Sequence, residues 1–216
     1  MHRSAFKNGQ IFFETYFQKN ESSIIVDLGA QDINGSLRNC APSNCHYLGI
    51  DFVAGRGVDI VLDDPYHLPL GEASVDAVVS SSCFEHIEFF WLMFNEVMRV
   101  LKPSGLFYLN APSNGDYHRY PVDCWRFYPD AGEALARWGR KSGFDCILLE
   151  SFTAYQDQDI WSDSVAVFLK DEKMADCHKL RMLDRIDHYM NGRVYGNADI
   201  LAFQSCTEDR LKIAHR

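Results

Sequence analysis

The sequence predicts a doubly wound α/β domain with a mostly parallel, seven-stranded sheet and a helical C-terminal tail. Short apolar runs alternate along the chain with segments of helical periodicity, which is typical of a parallel sheet covered by helices. Most of these runs are apolar without alternation, as expected for strands buried on both faces. With 216 residues, the chain is long enough for one domain with a substantial core. We therefore predict a domain over residues 1–170 and a helical extension packed on it over residues 171–216.

Each element has a local signal in the sequence. Residues 5–20 carry aromatic and apolar side chains at helical spacing and predict a leading helix on the domain edge. Residues 90–101 predict a second helix, which Lys102-Pro103-Ser104-Gly105 would end. Asp130 and Glu133 are spaced like a capping box and predict a third helix through about Lys141. The predicted strands cover residues 23–29, 46–51, 58–63, 75–80, 106–110, 146–150 and 164–169.

Two segments fit this scheme less directly. Residues 52–57 join the second and third strands and are too few for a crossover helix, so either the second strand ends early or the crossover is an extended loop. The charged tail predicts helices with a break near Asn191-Gly192. Its apolar side chains would cover the sheet or form a dimer, so the chain is expected to be a monomer or a homodimer.

Charge and composition exclude several classes of protein. The formal net charge is −9, from 21 basic and 30 acidic residues, and no basic run supplies the face that duplex binding needs. No segment approaches the ~20 apolar residues that cross a bilayer, so we expect no membrane insertion. The first residues lack the pattern of a secretory signal. Seven scattered cysteines without a CxxC pair suggest reduced thiols and a cytoplasmic protein, and Cys40, Cys45 and His46 are spaced poorly for zinc, so no metal site is predicted.

The carboxyl ends of the strands carry the residues that point to a function, because ligands of open α/β sheets bind there. The first strand ends in Asp27-Leu28-Gly29, where a glycine turn allows close approach of the backbone to a ligand. The second strand ends in Asp51, 22 residues after Gly29, a spacing at which a carboxylate accepts hydrogen bonds from ribose hydroxyls. These two features predict a nucleoside-containing ligand.

Five segments in order, VDLGA, YLGID, DDPYHLPL, VDAVVSSSCFEHI and RVLKPSGLFYLNAP, resemble the class I S-adenosylmethionine-dependent methyltransferases over about residues 23–112. The resemblance implies a Rossmann-like methyltransferase fold with S-adenosylmethionine as cofactor. In this family the turn at Gly29 would hold the methionine, Asp51 the ribose and Asp64 the adenine, with Ser81 and Ser82 near the sulfonium. The cofactor residues implied in this way are Asp27, Gly29, Ala30, Gln31, Asp51, Asp63, Asp64, Ser81 and Ser82.

Some assignments leave alternatives open. The chain has Gln31 and Ile33 where the family has further glycines, so residues 34–36 would supply the tight turn instead. Asp64 would face adenine or cap the following turn. Glu85 and His86 would form the first turn of the next helix, where an acidic residue is favoured, or would contact a ligand.

The long loop after the fifth strand is the predicted acceptor site, because long structureless loops in compact domains are usually functional. A hydroxyl acceptor must lose a proton, for which His118 is the candidate base and Asp123 the alternative base or orienting partner. Aromatic and charged side chains in the loop suit a sugar or a planar ring. The predicted substrate-binding residues are Tyr117, Arg119, Trp125 and Arg126; the two arginines would alternatively pair with loop aspartates, and Trp125 would alternatively anchor a lid.

The sequence therefore predicts a methyltransferase that acts on a small molecule or a glycan, most simply at oxygen. A non-catalytic S-adenosylmethionine-binding or interaction protein is one alternative. A nicotinamide-dependent oxidoreductase is another, although Gly29-Ala30-Gln31-Asp32-Ile33-Asn34 lacks the GxGxxG pattern of that class.

Overall fold

The computed structural model describes residues 2–17, 22–158, 160–207 and 209–210, which form one eight-stranded sheet flanked by helices. The helices are α1 (Arg3–Tyr16), α2 (Phe90–Val100) and α3 (Ala131–Lys141). The strands are β1 (Ile24–Leu28), β2 (His46–Asp51), β3 (Ile60–Val61), β4 (Val75–Ser81), β5 (Leu101–Pro112), β6 (Ile147–Thr153), β7 (Asp163–Leu169) and β8 (Met190–Val194).

The sheet order is β3-β2-β1-β4-β5-β7-β6-β8, and β1 to β5 are parallel to one another. β7 runs antiparallel to both β5 and β6, and β8 is antiparallel to β6. The predicted doubly wound, mostly parallel sheet is confirmed. The chain runs from β1 outward through β2 and β3 and then returns to β4 on the other side of β1, so the switch point lies beyond the carboxyl ends of β1 and β4.

Successive side chains of the central strands point to opposite faces of the sheet and pack into two hydrophobic cores, one on each face. Val26 of β1 packs in the core under α2 and α3, whereas Ile25 points to the opposite core under α1. Phe94 of α2 and Phe12 of α1 are each fully buried, which contributes about 3 kcal/mol per side chain. The two cores fix the strand ends that carry the candidate site.

The prediction of a helical tail is wrong for the described part of residues 171–216. That part contains two short 3-10 segments (Glu172–Cys177 and Met182–Asp184) and the edge strand β8, which spans the predicted helix break at Asn191-Gly192. The buried carboxylate of Glu150 in β6 explains the difference, because it accepts hydrogen bonds from the backbone N–H groups of Met182 and Leu183 at 2.7 and 3.0 Å. Part of the tail backbone, at Met182 and Leu183 and along β8, is therefore paired with β6 rather than within an α-helix.

Several local predictions also change. The leading helix ends at Tyr16, and residues 18–20 of its predicted span lie outside the described part. α3 forms as predicted but without the capping box, because Asp130 makes no side-chain cap and instead pairs with Arg193 of β8. The link over residues 52–57 is a loop, and β3 has only two residues in place of the predicted six.

Candidate active site

A cleft at the switch point consists of two adjoining cavities of about 310 and 230 Å³. Both are lined by Gly29, Asp51, Phe52, Cys83 and His86. Seven of the nine predicted cofactor residues and the predicted base line the larger cavity, namely Asp27, Gly29, Ala30, Gln31, Asp51, Ser81, Ser82 and His118.

Asp51 at the end of β2 is held in place by the loop that follows β1. Its two carboxylate oxygens accept one backbone N–H each, from Gln31 at 3.2 Å and from Val53 at 3.1 Å. The side chain is mostly buried and its oxygens retain further lone pairs for a ligand. The carboxylate is therefore preorganised to accept hydrogen bonds from a diol.

Only a glycine fits at position 29, because of both the backbone conformation and the close neighbouring side chain. Its φ of +79° lies in the left-handed region, and a Cβ built on it would come within 2.5 Å of the Cβ of Cys83. The N–H groups of Gly29 and Ala30 both donate to the carbonyl of Ile50, at 3.0 and 3.2 Å. The turn thus lies directly between β2 and the segment after β4, as a cradle for a ligand.

The turn after Gly29 is closed without further glycines at positions 31 and 33. Asp32 accepts the backbone N–H of Gly35 at 2.8 Å and pairs with Arg56 at 2.9 Å, while Gly35 adopts a φ of +125°. The side chain of Asp32 and the glycine at position 35 therefore supply the tight turn.

Asp27 is buried at the floor of the larger cavity and accepts a hydrogen bond from the Tyr47 hydroxyl at 2.7 Å. Burial raises the pKa of the Asp27 carboxyl to about 7, and the hydrogen bond from Tyr47 only partly opposes this. Asp27 therefore changes charge close to neutral pH.

Ser81 and Ser82 end β4 on the wall of the same cavity. Their buried hydroxyl oxygens have no hydrogen-bond partner among the described residues. Buried polar atoms are normally satisfied, so these hydroxyls fit a ligand that supplies the missing partner.

The structure does not bring Asp63 and Asp64 to either cavity. The Asp64 carboxylate accepts the backbone N–H of Tyr66 at 2.9 Å, which is the turn-capping alternative. The same segment contributes Leu62, Pro65 and Tyr66 to the smaller cavity.

The loop over residues 113–129 is fastened to the 3-10 turn Phe84–His86. The backbone N–H groups of Cys124 and Trp125 donate to the carbonyl of Glu85 at 2.8 and 3.2 Å. Nδ1 of His86 lies 2.5 Å from the carbonyl oxygen of Val122. The loop over residues 113–129 thus forms one wall of the cleft.

Asp123 holds this loop together from within. It binds Arg126 through both oxygens, at 2.6 and 2.9 Å, and accepts the backbone N–H of His118 at 2.7 Å. The Arg126 guanidinium lowers the pKa of Asp123 to about 2, so this carboxylate is charged at neutral pH. Of its two predicted roles, the geometry supports orientation of His118 rather than proton abstraction.

None of the four predicted substrate residues lines the larger cavity. Tyr117 is 75% exposed, and Arg119 donates to the carbonyl of Pro121 within the loop at 3.1 Å. Trp125 packs edge-to-face on Phe90 of α2 and so anchors the loop. Arg126 is engaged by Asp123, which is the loop-pairing alternative.

The structure adds Phe52, Tyr120 and His86 to the cleft. The Tyr120 hydroxyl donates to Gln31 Oε1 at 3.2 Å and so connects the loop over residues 113–129 to the loop after β1. Glu85, beside His86, is 1% exposed, and burial raises the pKa of its carboxyl to about 8. In the sequence, the signal for His86 was its position just after the fourth strand. That position fits both a residue that contacts a ligand and a residue in the first turn of a helix.

Comparisons with known proteins agree with this fold. Residues 22–109 match the family model described as a methyltransferase domain. Among curated proteins, none gives a significant sequence match.

Several solved structures share the fold. The Burkholderia thailandensis 1,6-didemethyltoxoflavin-N1-methyltransferase, solved with bound 1,6-didemethyltoxoflavin and S-adenosylhomocysteine, aligns with a TM-score of 0.60 at 14% identity over 78% of this chain and 79% of that one. The YcgJ protein of Bacillus subtilis aligns with a TM-score of 0.55 at 12% identity, over 79% of this chain and all of that one. A SAM-dependent methyltransferase of Aquifex aeolicus gives a TM-score of 0.51 at 11% identity, over 76% of this chain and 90% of that one.

The sheet order, with antiparallel β7 between β5 and β6, departs from the 3-2-1-4-5-6 order of nicotinamide enzymes. This sheet order is that of a class I methyltransferase fold. The match of residues 22–109 to a methyltransferase domain, together with this fold, supports an S-adenosylmethionine-dependent methyltransferase. Among the described residues, no helix is both long and apolar enough to span a membrane.

Proposed function

We propose that this enzyme transfers the methyl group of S-adenosylmethionine to a hydroxyl of a small polar acceptor, a sugar or glycan being the class that fits best. The observation that carries the proposal is that imidazole side chains, His86 and His118, line the same cavity as the cofactor residues. A hydroxyl needs such groups nearby because it must lose a proton as it is methylated.

The cofactor would occupy both cavities. Asp51 would bind the ribose, the turn at Gly29 would lie against the methionine, and Asp27 would bind the ammonium group of the methionine. The smaller cavity is mostly apolar, with Leu28, Ile50 and Leu62 in its lining, and suits adenine. Bound in this way, S-adenosylmethionine supplies the methyl group, and its sulfonium would lie near Ser81 and Ser82.

The acceptor would enter beside Tyr120 and His118. We assign His118 to the acceptor because its main chain is fixed by Asp123 while its side chain remains 39% exposed to the cleft. Its imidazole helps the hydroxyl to lose its proton. Fixing donor and acceptor in line supplies most of the acceleration in such a displacement.

Titration calorimetry with S-adenosylhomocysteine, followed by transfer of labelled methyl to a panel of sugars, phenols and amines, tests the proposal. We expect micromolar binding and transfer to a hydroxylated acceptor, with His118→Asn losing at least about 100-fold in rate while S-adenosylhomocysteine affinity stays within about twofold. Tyr117→Phe, in the same loop but away from the cavity, is the matched control. Transfer to amines alone, or equal rates in His118→Asn and the wild type, would contradict the assignment.

The raised pKa of Asp27 predicts that cofactor affinity depends on pH. A bound ammonium favours the ionised carboxylate, so affinity should increase as pH rises through about 7 and level off above it. Between pH 6 and pH 8 we expect about a tenfold gain in S-adenosylhomocysteine affinity.

Calorimetry at pH 6, 7 and 8 on the wild type and on Asp27→Asn measures this effect. The asparagine retains an oxygen that can accept from Tyr47 but does not titrate, so its affinity should change little over the same range. An equal slope in the two proteins would assign the pH dependence to another group.

A further inference from the structure

Three side chains beside the cofactor residues form a set of metal ligands. One ligand atom from each of Glu85, His86 and His118 lies within 4.8 Å of the others. The two imidazole rings meet edge-to-face at 90°, with their centroids 5.0 Å apart. Two histidines and one carboxylate are a recurrent ligand set for catalytic divalent metals.

Backbone contacts fix which nitrogen of each ring carries the proton. Nδ1 of His86 lies 2.5 Å from the carbonyl oxygen of Val122, and Nδ1 of His118 lies 3.1 Å from that of Asp116. Because a carbonyl can only accept, both Nδ1 atoms must donate, which leaves the lone pair of each ring on Nε2. Metal-binding histidines are oriented in this manner, with the second nitrogen donating to a carbonyl or carboxylate.

Glu85 supplies an oxygen that has no partner. The side chain is 1% exposed, and its Oε2 atom has no hydrogen-bond partner among the described residues. Its Oε1 atom lies 3.7 Å from Nε2 of His86, too far for a hydrogen bond. A buried carboxyl oxygen without a partner is costly, and a cation would satisfy it.

We propose that Glu85, His86 and His118 bind a divalent metal ion of the zinc or cobalt type, which holds the acceptor hydroxyl. His86 and His118 line the larger cavity with Ser81 and Ser82, so the ion would face the place where methyl donor and acceptor meet. Three protein ligands leave at least one position open, as in catalytic rather than structural sites. Two imidazoles favour zinc and cobalt over magnesium and calcium, which prefer oxygen ligands.

Metal binding requires only a small contraction of the cluster. Ligand atoms about 2.0–2.2 Å from an ion lie roughly 3–3.5 Å apart, closer than in this cluster. The half-exposed His118 side chain can make that movement, whereas the buried Glu85 and the mostly buried His86 are held in place.

The site deepens the proposed function and rests on it for its chemistry. The metal would acidify a bound hydroxyl, whose proton passes to solvent water, as the methyl carbon–sulfur bond breaks and the oxygen–carbon bond forms. His118 would then assist proton loss as a ligand of the ion rather than as a free base.

Metal binding itself can be measured without any acceptor. The full chain is stripped with a chelator and titrated with Zn²⁺ by calorimetry and with Co²⁺ by visible absorption. We expect one ion per chain with micromolar or tighter affinity, and at least a tenfold loss in both Glu85→Gln and His118→Asn. The control is His46→Asn, which removes a histidine from a different possible zinc-binding segment, Cys40, Cys45 and His46. This variant should bind Zn²⁺ and Co²⁺ as the wild type does.

The outcomes separate this proposal from the proposed function. S-adenosylhomocysteine binding in both variants shows that they are folded, and His118→Asn tests the site at a half-exposed position if Glu85→Gln does not fold. No ion binding by a wild type that binds S-adenosylhomocysteine, or loss of the ion in His46→Asn alone, overturns the metal site and leaves the methyltransferase proposal standing. Methyl transfer that survives chelation overturns the metal's role in the reaction.

Discussion

Replacing Asp51 with alanine is expected to weaken S-adenosylhomocysteine binding by at least about 100-fold. The variant would lose charge-assisted hydrogen bonds to the ribose, each worth about 1.5–3 kcal/mol. It would also leave the N–H groups of Gln31 and Val53 without their carboxylate partner, which loosens the loops after β1 and β2. Calorimetric titration measures the loss directly.

Asp63→Ala is the matched control, because it removes a nearby carboxylate that lines neither cavity. Its affinity should stay within about twofold of the wild type. A loss in Asp63→Ala comparable to that in Asp51→Ala would favour the sequence prediction for Asp63 over its position in the structure. Asp51→Asn adds a second comparison, since the amide oxygen can still accept one backbone N–H without the charge.

The parts of the fold that the sequence predicted are those whose signals are local. An apolar run that ends in glycine or aspartate indicates both a strand and the position of its carboxyl end. For this reason the sequence predicted that Gly29 and Asp51 lie at strand ends beside the cleft. The tail lacked such a signal. Its backbone partners are Glu150 and β6, which lie 32 to 44 residues away along the chain, so helical patterning did not decide its structure.

The loop over residues 113–129 also shows that local sequence does not reveal which partner a side chain will bind. Asp123 and Arg126 are three residues apart, and either a mutual ion pair or a free guanidinium for substrate fits that spacing. Only the fold shows that both carboxylate oxygens are committed to Arg126. The orientation of His86 depends on the carbonyl of Val122, 36 residues later, which no local pattern reveals.

Asp123→Ala is the second change expected to have a large effect, and its main target is the acceptor rather than the cofactor. The substitution leaves the Arg126 guanidinium largely buried without its partner and removes the acceptor for the His118 N–H. Breaking such a pair from one side costs about 3–5 kcal/mol. We expect methyl transfer to fall at least about tenfold and the loop to become sensitive to proteolysis, with S-adenosylhomocysteine affinity reduced only a few-fold.

Asp116→Ala is the matched control in this loop, because Asp116 is exposed and the contacts that Arg126 and His118 make with it involve its backbone carbonyl. The double variant Asp123→Ala, Arg126→Met distinguishes two effects of losing Asp123, namely the unpaired charge of Arg126 and the lost orientation of His118. Stability should recover in part, since no unpaired cation remains, while transfer stays low because the His118 N–H still lacks its carboxylate. Recovery of transfer together with stability would show that Asp123 acts on the loop as a whole and not on His118.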